Sequence, residues 1–301
     1  MWFKNLQVYR LPQNWDMTAD RLADALASQA FVPASSNELL RQGWKAPRGT
    51  STPLVHAVNG QFLLTLATQK KILPAKAVNE LVDQKAAELE EQQGFPPGKK
   101  ARKELKERAT DELLPRALPV TNYVHAWIDP VNGWLVVDSG SPTKADDVIK
   151  FLLKAVDKMP LESLRVQRSP VAVMTAWLKQ DESPFDFGFA IDQDATLCAI
   201  GEGKAQVGLK RHSLDPEDIG PHIAAGKQCV RLAMTWNSRI SFVLTDGLAI
   251  KSVKPLDVIK ENDAVIRSDV ERFDNDFALM TGEYAKLLAD LVEALGGEVR
   301  G

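Results

Sequence analysis

Apolar and polar positions follow two rhythms along this chain, and the rhythm switches where the elements change. From Pro74 to Leu118 the spacing is helical, with Val78, Leu81, Val82, Ala86 and Leu89 recurring three and four apart among Glu80, Asp83, Glu88, Glu90 and Glu91. Ala101, Leu105, Ala109 and Leu113 then form a thinner stripe inside a run of lysine and arginine. Between the two lies Gly94-Phe95-Pro96-Pro97-Gly98, whose glycines and prolines force a reversal. The pattern predicts an antiparallel helical hairpin with arms about 25–30 Å long at 1.5 Å per residue. Stripes this narrow bury each other and little else, so the hairpin projects from a body whose strands flank it on both sides.

Elsewhere period-two segments and wider helical stripes alternate. Trp2 to Leu11 reads as a strand, and Thr18 to Ala30 as a helix capped by Thr18, with Leu22, Leu26 and Ala30 inward. Asn59-Gly60 and Asn132-Gly133 join apolar segments and predict hairpins, the second between Asn122–Ile128 and Trp134–Asp138. Thr143 to Met159 is a helix burying Val148, Leu152 and Val156. The same kinds of unit recur after residue 160. Leu164–Gln167 is a short strand and Pro170–Lys179 a helix; Ala195–His212 is a strand pair around Gly201-Glu202-Gly203. Asp215–Ala225 is a short helix broken at Pro221, and Lys227–Lys254 an antiparallel meander turning at Asn237-Ser238 and Asp246-Gly247. Phe273, Phe277, Met280, Tyr284, Leu287 and Leu291 form the stripe of a C-terminal helix, widened by Leu288, Val292 and Leu295 and ended by Gly296-Gly297. A stripe this wide suits packing on the protein's own sheet better than a coiled-coil seam.

The fold class is therefore α+β, with antiparallel sheets, packed helices and a projecting helical hairpin. Residues 1–73 and 119–160 are expected to form a central body, 74–118 the hairpin tip, and 161–301 a second body ending in the C-terminal helix. At 301 residues the chain exceeds one usual hydrophobic core, which fits more than one packed unit. It has no run of 18 apolar residues and no signal-peptide pattern at Met1-Trp2-Phe3-Lys4-Asn5, so an intracellular, non-membrane location is expected. Its two cysteines, Cys198 and Cys229, sit in strand contexts and read as buried thiols in a reducing compartment.

The net charge of −3 hides a segregation. Lys99 to Arg108 carries six basic and two acidic residues, and residues 201–260 nine and six; residues 261–301 carry four basic and ten acidic. Basic surfaces can thus exist on an acidic protein, and a polyanion meets the local field.

Catalytic chemistry is hard to find in the sequence. Gly94-Phe95-Pro96-Pro97-Gly98-Lys99-Lys100 fails as a phosphate loop: its glycines are too close, no Ser or Thr follows the lysine, and its prolines remove donors. Gly201-Glu202-Gly203 with Gly208 misses the dinucleotide spacing. His56, His125, His212 and His222 lack metal-ligand spacing. Asp192 and Asp194, following Asp181 and Asp186, could serve a two-metal nuclease acting on DNA, but read better as a solvated acidic loop. No catalytic residue, metal ligand or cofactor is assigned.

A binding surface remains. In the strand ending at Lys210-Arg211-His212, Ala205, Val207 and Leu209 take one face and Lys204, Gln206, Lys210 and His212 the other. The meander repeats this, with Val230, Leu232, Met234 and Trp236 inward against Lys227, Arg231 and Thr235, and Ile240, Phe242 and Leu244 beside Arg239 and Ser241. Lys204, Lys210, Lys227, Arg231 and Arg239 would then share one surface, with Arg211 pointing away unless its strand has ended. Such a face suits phosphate contacts, and equally a sheet kept soluble by charge.

Several blocks together resemble one known family. They are Trp2-Phe3-Lys4-Asn5-Leu6-Gln7-Val8-Tyr9-Arg10-Leu11, Leu113-Leu114-Pro115-Arg116-Ala117, Trp127-Ile128-Asp129 with Val131-Asn132-Gly133, Ala225-Gly226-Lys227, and Leu279-Met280-Thr281-Gly282-Glu283 before Leu295-Gly296-Gly297-Glu298. In order and spacing they are similar to the recombination-associated RdgC family. The resemblance implies a cytoplasmic, nucleoid-associated, non-enzymatic protein that encircles duplex DNA as a ring-shaped homodimer without sequence preference and antagonises RecA. Whether single strands also bind is left open. It implies a gate contact near Leu114 and Leu118, where Leu118 replaces the family's aromatic residue, and DNA contact at Lys210, Arg211 and His212, where His212 replaces a polar amide. A metal-dependent nuclease and a structural homodimer without nucleic acid are the competing readings.

Overall fold

The first strand, β1 (Leu6–Arg10), lies mid-sheet and joins the two halves of the chain. In this computed structural model, which describes residues 1–49, 52–199, 205–260 and 268–299, the chain continues through α1 (Ala19–Ala27), β2 (Leu40–Lys45), β3 (His56–Val58) and β4 (Gln61–Ile72). The hairpin follows as α2 (Ala75–Gln93) and α3 (Lys99–Leu113), then β5 (Leu118–Asp129), β6 (Trp134–Asp138), α4 (Pro142–Ala155) and β7 (Glu162–Ser163). The later half comprises α5 (Pro170–Leu178), β8 (Phe189–Ala199), β9 (Gln206–Leu209), α6 (Pro216–Ala224), β10 (Lys227–Trp236), β11 (Ile240–Thr245), β12 (Ile250–Pro255), α7 (Asp257–Lys260) and α8 (Asp269–Ala294). The architecture is α+β, but where separate sheets were expected there is one antiparallel sheet. Its order is β2-β4-β5-β6-β1-β12-β11-β10-β8-β9, with β3 on β4 and β7 on β1. The earlier and later strands of the chain meet where Leu6 pairs with Ile250 and the Val253 N–H donates to the Lys4 carbonyl.

The sheet is covered differently along its length. Over β4, the residues Phe62, Leu63, Leu64, Thr65, Leu66 and Ala67 are all buried in unbroken succession, the mark of a strand enclosed on both faces. Leu63, Trp127, Trp134 and Val136 point into a core shared with α8, while Leu64, Ile128, Leu135 and Val137 pack under α1 and α4. The first core runs on beneath β8–β12, where Leu197, Leu232, Met234, Phe242, Leu244 and Val253 meet α5, α6 and α8. Among the described residues the second contains none beyond Leu161, so α1 and α4 do not reach across the later strands. The described residues therefore leave one face of β8–β12 open.

The C-terminal helix packs on its own sheet, as its wide stripe requires. The Tyr284 hydroxyl donates to the Phe3 carbonyl at 2.7 Å, Trp2 meets the Tyr284 ring edge-on, and the Met1 ammonium pairs with Asp276. The hairpin buries only Val78, Val82 and Ala86 against Leu105 and Ala109. Gly94, with φ +79°, ends α2 in the left-handed conformation that permits the reversal.

Local details depart from expectation where tertiary contacts intervene. Thr18 caps α1 through the Arg21 N–H, but the helix stops at Ala27 and Ala30 instead bridges to Trp44. The strand after residue 160 lies at Glu162–Ser163, paired to β1, rather than at 164–167. At Asn59-Gly60 both residues have positive φ, the geometry of a tight hairpin turn. A Cβ on Gly133 would lie 2.3 Å from the Leu11 carbonyl oxygen, so a bare Cα is needed there.

Candidate nucleic-acid interface

Antiparallel register defines what the open face displays. Across β10, β11 and β12, Thr235 stands opposite Ser241 and Ser241 opposite Lys254; Ala233 stands opposite Val243 and Val243 opposite Lys251. On the next row Arg231 lies between Thr245 and, on β8, Thr196, which in turn faces Gly208 of edge strand β9. Rows are about 7 Å apart, two strand residues. Arg231, Lys251 and Lys254 thus share the face opposite the core, with Arg231 and Lys254 exposed.

Two bulges decide this composition. Pairing of β10 with β8 skips Val230, so Cys229 and Leu232 are both buried although they lie three positions apart. The parity reversal places Lys227 on the face of Cys229, the core side, and Arg231 on the open side. The expectation that both share one face, with Val230 inward, is corrected accordingly. On β12 the register shifts around Ser252, which has φ +54°, and Ile250 and Val253 are both buried. This turns Lys251 and Lys254 outward together. Neither was singled out from sequence, because apolar positions three apart do not reveal a bulged strand.

The other expected residues separate. β9 ends at Leu209, and Arg211 has φ +51°; its N–H donates to Asp194 Oδ1 at 2.8 Å, so Lys210, Arg211 and His212 form an exposed strand-end cluster. Lys210 lies two residues past Gly208, placing it on the order of 12 Å from Arg231 by strand geometry. His212 donates its N–H to the Gln193 carbonyl, and its ring approaches Asp218 at 3.9 Å. Lys204 lies outside the described residues. Arg239 does not join the open face: its guanidinium makes a two-pronged pair with Glu283 of α8, both contacts 2.8 Å. The turn at Asn237-Ser238 delivers it to the helix side.

The face is polar rather than uniformly basic. Asp192 and Asp194, expected in a loop, belong to β8. Asp192 accepts from Thr235 Oγ1 at 3.1 Å, and burial raises its carboxyl above the usual range, with the Asp194 charge adding to the rise. Among the described residues, no group of three or more His, Cys, Asp or Glu side chains is placed to hold a metal ion. Burial pushes the Cys229 thiol up to about 12, which makes it inert.

The two gate candidates also part company. Leu118 opens β5 and is 75% exposed, beside exposed Ile72, Val120 and Leu40. Leu114 is 5% exposed, turned inward by the 3-10 turn Leu114–Arg116, while its carbonyl accepts from the buried Lys71 ammonium at 3.1 Å. Leu114 holds the base of the hairpin and offers no contact surface.

The family model described as "Putative exonuclease, RdgC" matches residues 1–298. The chain is 59% identical over 299 residues to the Recombination-associated protein RdgC of Herminiimonas arsenicoxydans, covering 99% of each chain. It is 59% identical over 300 residues to that of Janthinobacterium sp. (strain Marseille), again with 99% of each covered, and 51% identical over 301 residues, 100% of each, to that of Bordetella pertussis. Match along the whole length, at this identity, means that the chain belongs to the RdgC family.

Proposed function

We propose that this protein is a recombination-associated, duplex-DNA-binding homodimer that encircles DNA without sequence preference and restrains RecA-dependent recombination in the nucleoid. The observation that carries the reading is the uncovered face of β8–β12, where Arg231, Lys251 and Lys254 lie beside the Lys210-Arg211-His212 end of β9. Cations on rows about 7 Å apart suit a regularly spaced phosphate backbone and carry no base-specific code. The exposed apolar patch of Leu118, Ile72, Val120 and Leu40 at the hairpin base supports a gate contact between two copies. The basic helix α3 is the alternative DNA surface.

No catalytic step is assigned. The exonuclease wording of the family description would need a carboxylate set at the DNA face, and the two carboxylates there are engaged by Thr235 and by the Arg211 N–H. No helix of the described residues is long and apolar enough to cross a membrane. The test is binding to labelled duplex and single-stranded DNA over a salt series, with and without magnesium. Saturable, salt-steep binding that leaves the DNA intact supports the reading; no binding favours a structural dimer, and magnesium-dependent cleavage that tracks the protein favours a nuclease.

A further inference from the structure

The tip of the hairpin and a pocket near the far edge of the sheet carry complementary chemistry; the tip lies apart from the proposed gate, and the pocket adjoins the proposed DNA face at Asp192. The pocket, about 530 Å³, opens between α5, the 3-10 turn Pro184–Phe187 and β8. Trp177, Ile191 and Leu214 give it apolar walls, and Phe185 stands at its rim 71% exposed. Asp181, Glu182, Asp192 and Asp215 also line it, Glu182 in a two-pronged pair with Arg168, and among the described residues no Lys, Arg or His does. Such a surface repels DNA and suits a segment that pairs an apolar side chain with cations.

This chain presents one. Phe95 is 61% exposed at the tip, the one large apolar side chain that the described hairpin leaves to solvent between Ala75 and Leu113. Exposed Lys99 and Lys100 follow in the first turn of α3, where helices ordinarily place acidic residues. The gate patch is at the other end of the hairpin, about 28 Å away along the 19 residues of α2. Seven strand spacings of about 4.8 Å separate β4 from β8, so a tip cannot fill the pocket of its own chain.

We propose that the hairpin tip of one copy, Phe95 with Lys99 and Lys100, docks into the Phe185 pocket of another copy. Tip and pocket are different surfaces, so the contact is head-to-tail; it links dimers into open assemblies rather than building the dimer. It gives neighbouring molecules on one DNA a means of side-by-side association.

A labelled peptide spanning residues 92–106 should bind the full-length protein saturably at low salt. Phe185→Ala, the pair Asp181→Asn with Asp215→Asn, and Phe95→Ala in the peptide should each weaken binding at least tenfold. Equal binding to the pocket variants would overturn the proposal. If the isolated peptide does not bind, oxidative cross-linking decides: Pro96→Cys and Asp186→Cys proteins, which keep Phe95 and Phe185 and both carry Cys198→Ser, should form a mixed disulfide only when combined. No cross-link beyond that of each variant alone would also overturn it. The salt slope for DNA should be unchanged in Phe185→Ala, which separates this contact from the DNA face.

Discussion

The two halves of one sheet solve different problems. Over Phe62–Ala67 of β4, the later half of β5 from Val124 and β6, both faces are covered, and β4 is a near-continuous apolar run there. Over β10, β11 and β12 one face is covered, and apolar residues give way to Thr235, Ser241, Lys251 and Lys254 on the other. Continuous burial makes the first half a scaffold for the hairpin and its exposed Leu118. Alternation, interrupted by three register shifts, makes the second half a surface. A substitution on either face of the enclosed half should therefore affect stability, whereas in the other half the core face should govern stability and the open face binding.

The largest expected effects are on core-facing side chains of both halves. Leu63→Ala and Leu64→Ala remove side chains from opposite faces, and each should cost about 2–5 kcal/mol in denaturant unfolding. In the open half Phe242→Ala should cost about 3–5 kcal/mol, whereas its neighbour Ser241→Ala should change stability by less than about 0.5 kcal/mol. Equal costs at Phe242 and Ser241 would mean that both faces are covered there.

A pH effect comes next, from the enclosed half. Burial lowers the His125 pKa to about 4, with its Nδ1 2.8 Å from Thr65 Oγ1. The folded state therefore resists a proton that the unfolded chain accepts near pH 6.5. This contribution is fully present above about pH 6.5 and is lost progressively as pH falls towards 4, by up to about 3 kcal/mol. His125→Gln should flatten stability across that window, measured by urea midpoints; an unchanged profile would show that His125 titrates normally.

Much of this contrast was legible in the sequence, and the failures are specific. The hairpin helices, α8 and the tight turn at Asn59-Gly60 are each set by residue patterns within a few positions of each other, which periodicity reports, even where the partner surface lies far away. The bulges at Val230 and Ser252 do not, because each inverts the inside-outside parity of everything beyond it. They moved Lys227 to the core side and brought Lys251 and Lys254 out. Arg239 was misplaced because its partner, Glu283, lies 44 residues away. Leu114 and Leu118 looked alike as neighbours in sequence, yet a single 3-10 turn buries one and exposes the other.

Smaller effects sharpen the same division. Arg239→Ala should lower stability by about 1 kcal/mol through loss of its pair with Glu283, and leave the salt dependence of DNA binding unchanged. Lys227→Ala should alter the DNA slope by less than half a unit, since its parity places it off the open face. A slope change as large as that of Arg231→Ala would restore the two residues to one surface.

The central claim is that the open face of β8–β12 meets DNA. Its most direct measurement is the affinity for one duplex across a salt series, comparing the unaltered protein with Arg231→Ala/Lys251→Ala/Lys254→Ala. If on the order of four to eight phosphates are neutralised, log K should fall against log salt with a slope of about −4 to −7. The triple variant should bind every duplex sequence more weakly, with a slope flatter by about two units or more and an unchanged unfolding midpoint. A triple variant that stays folded and keeps the original slope would place DNA on another surface, the basic helix α3 first.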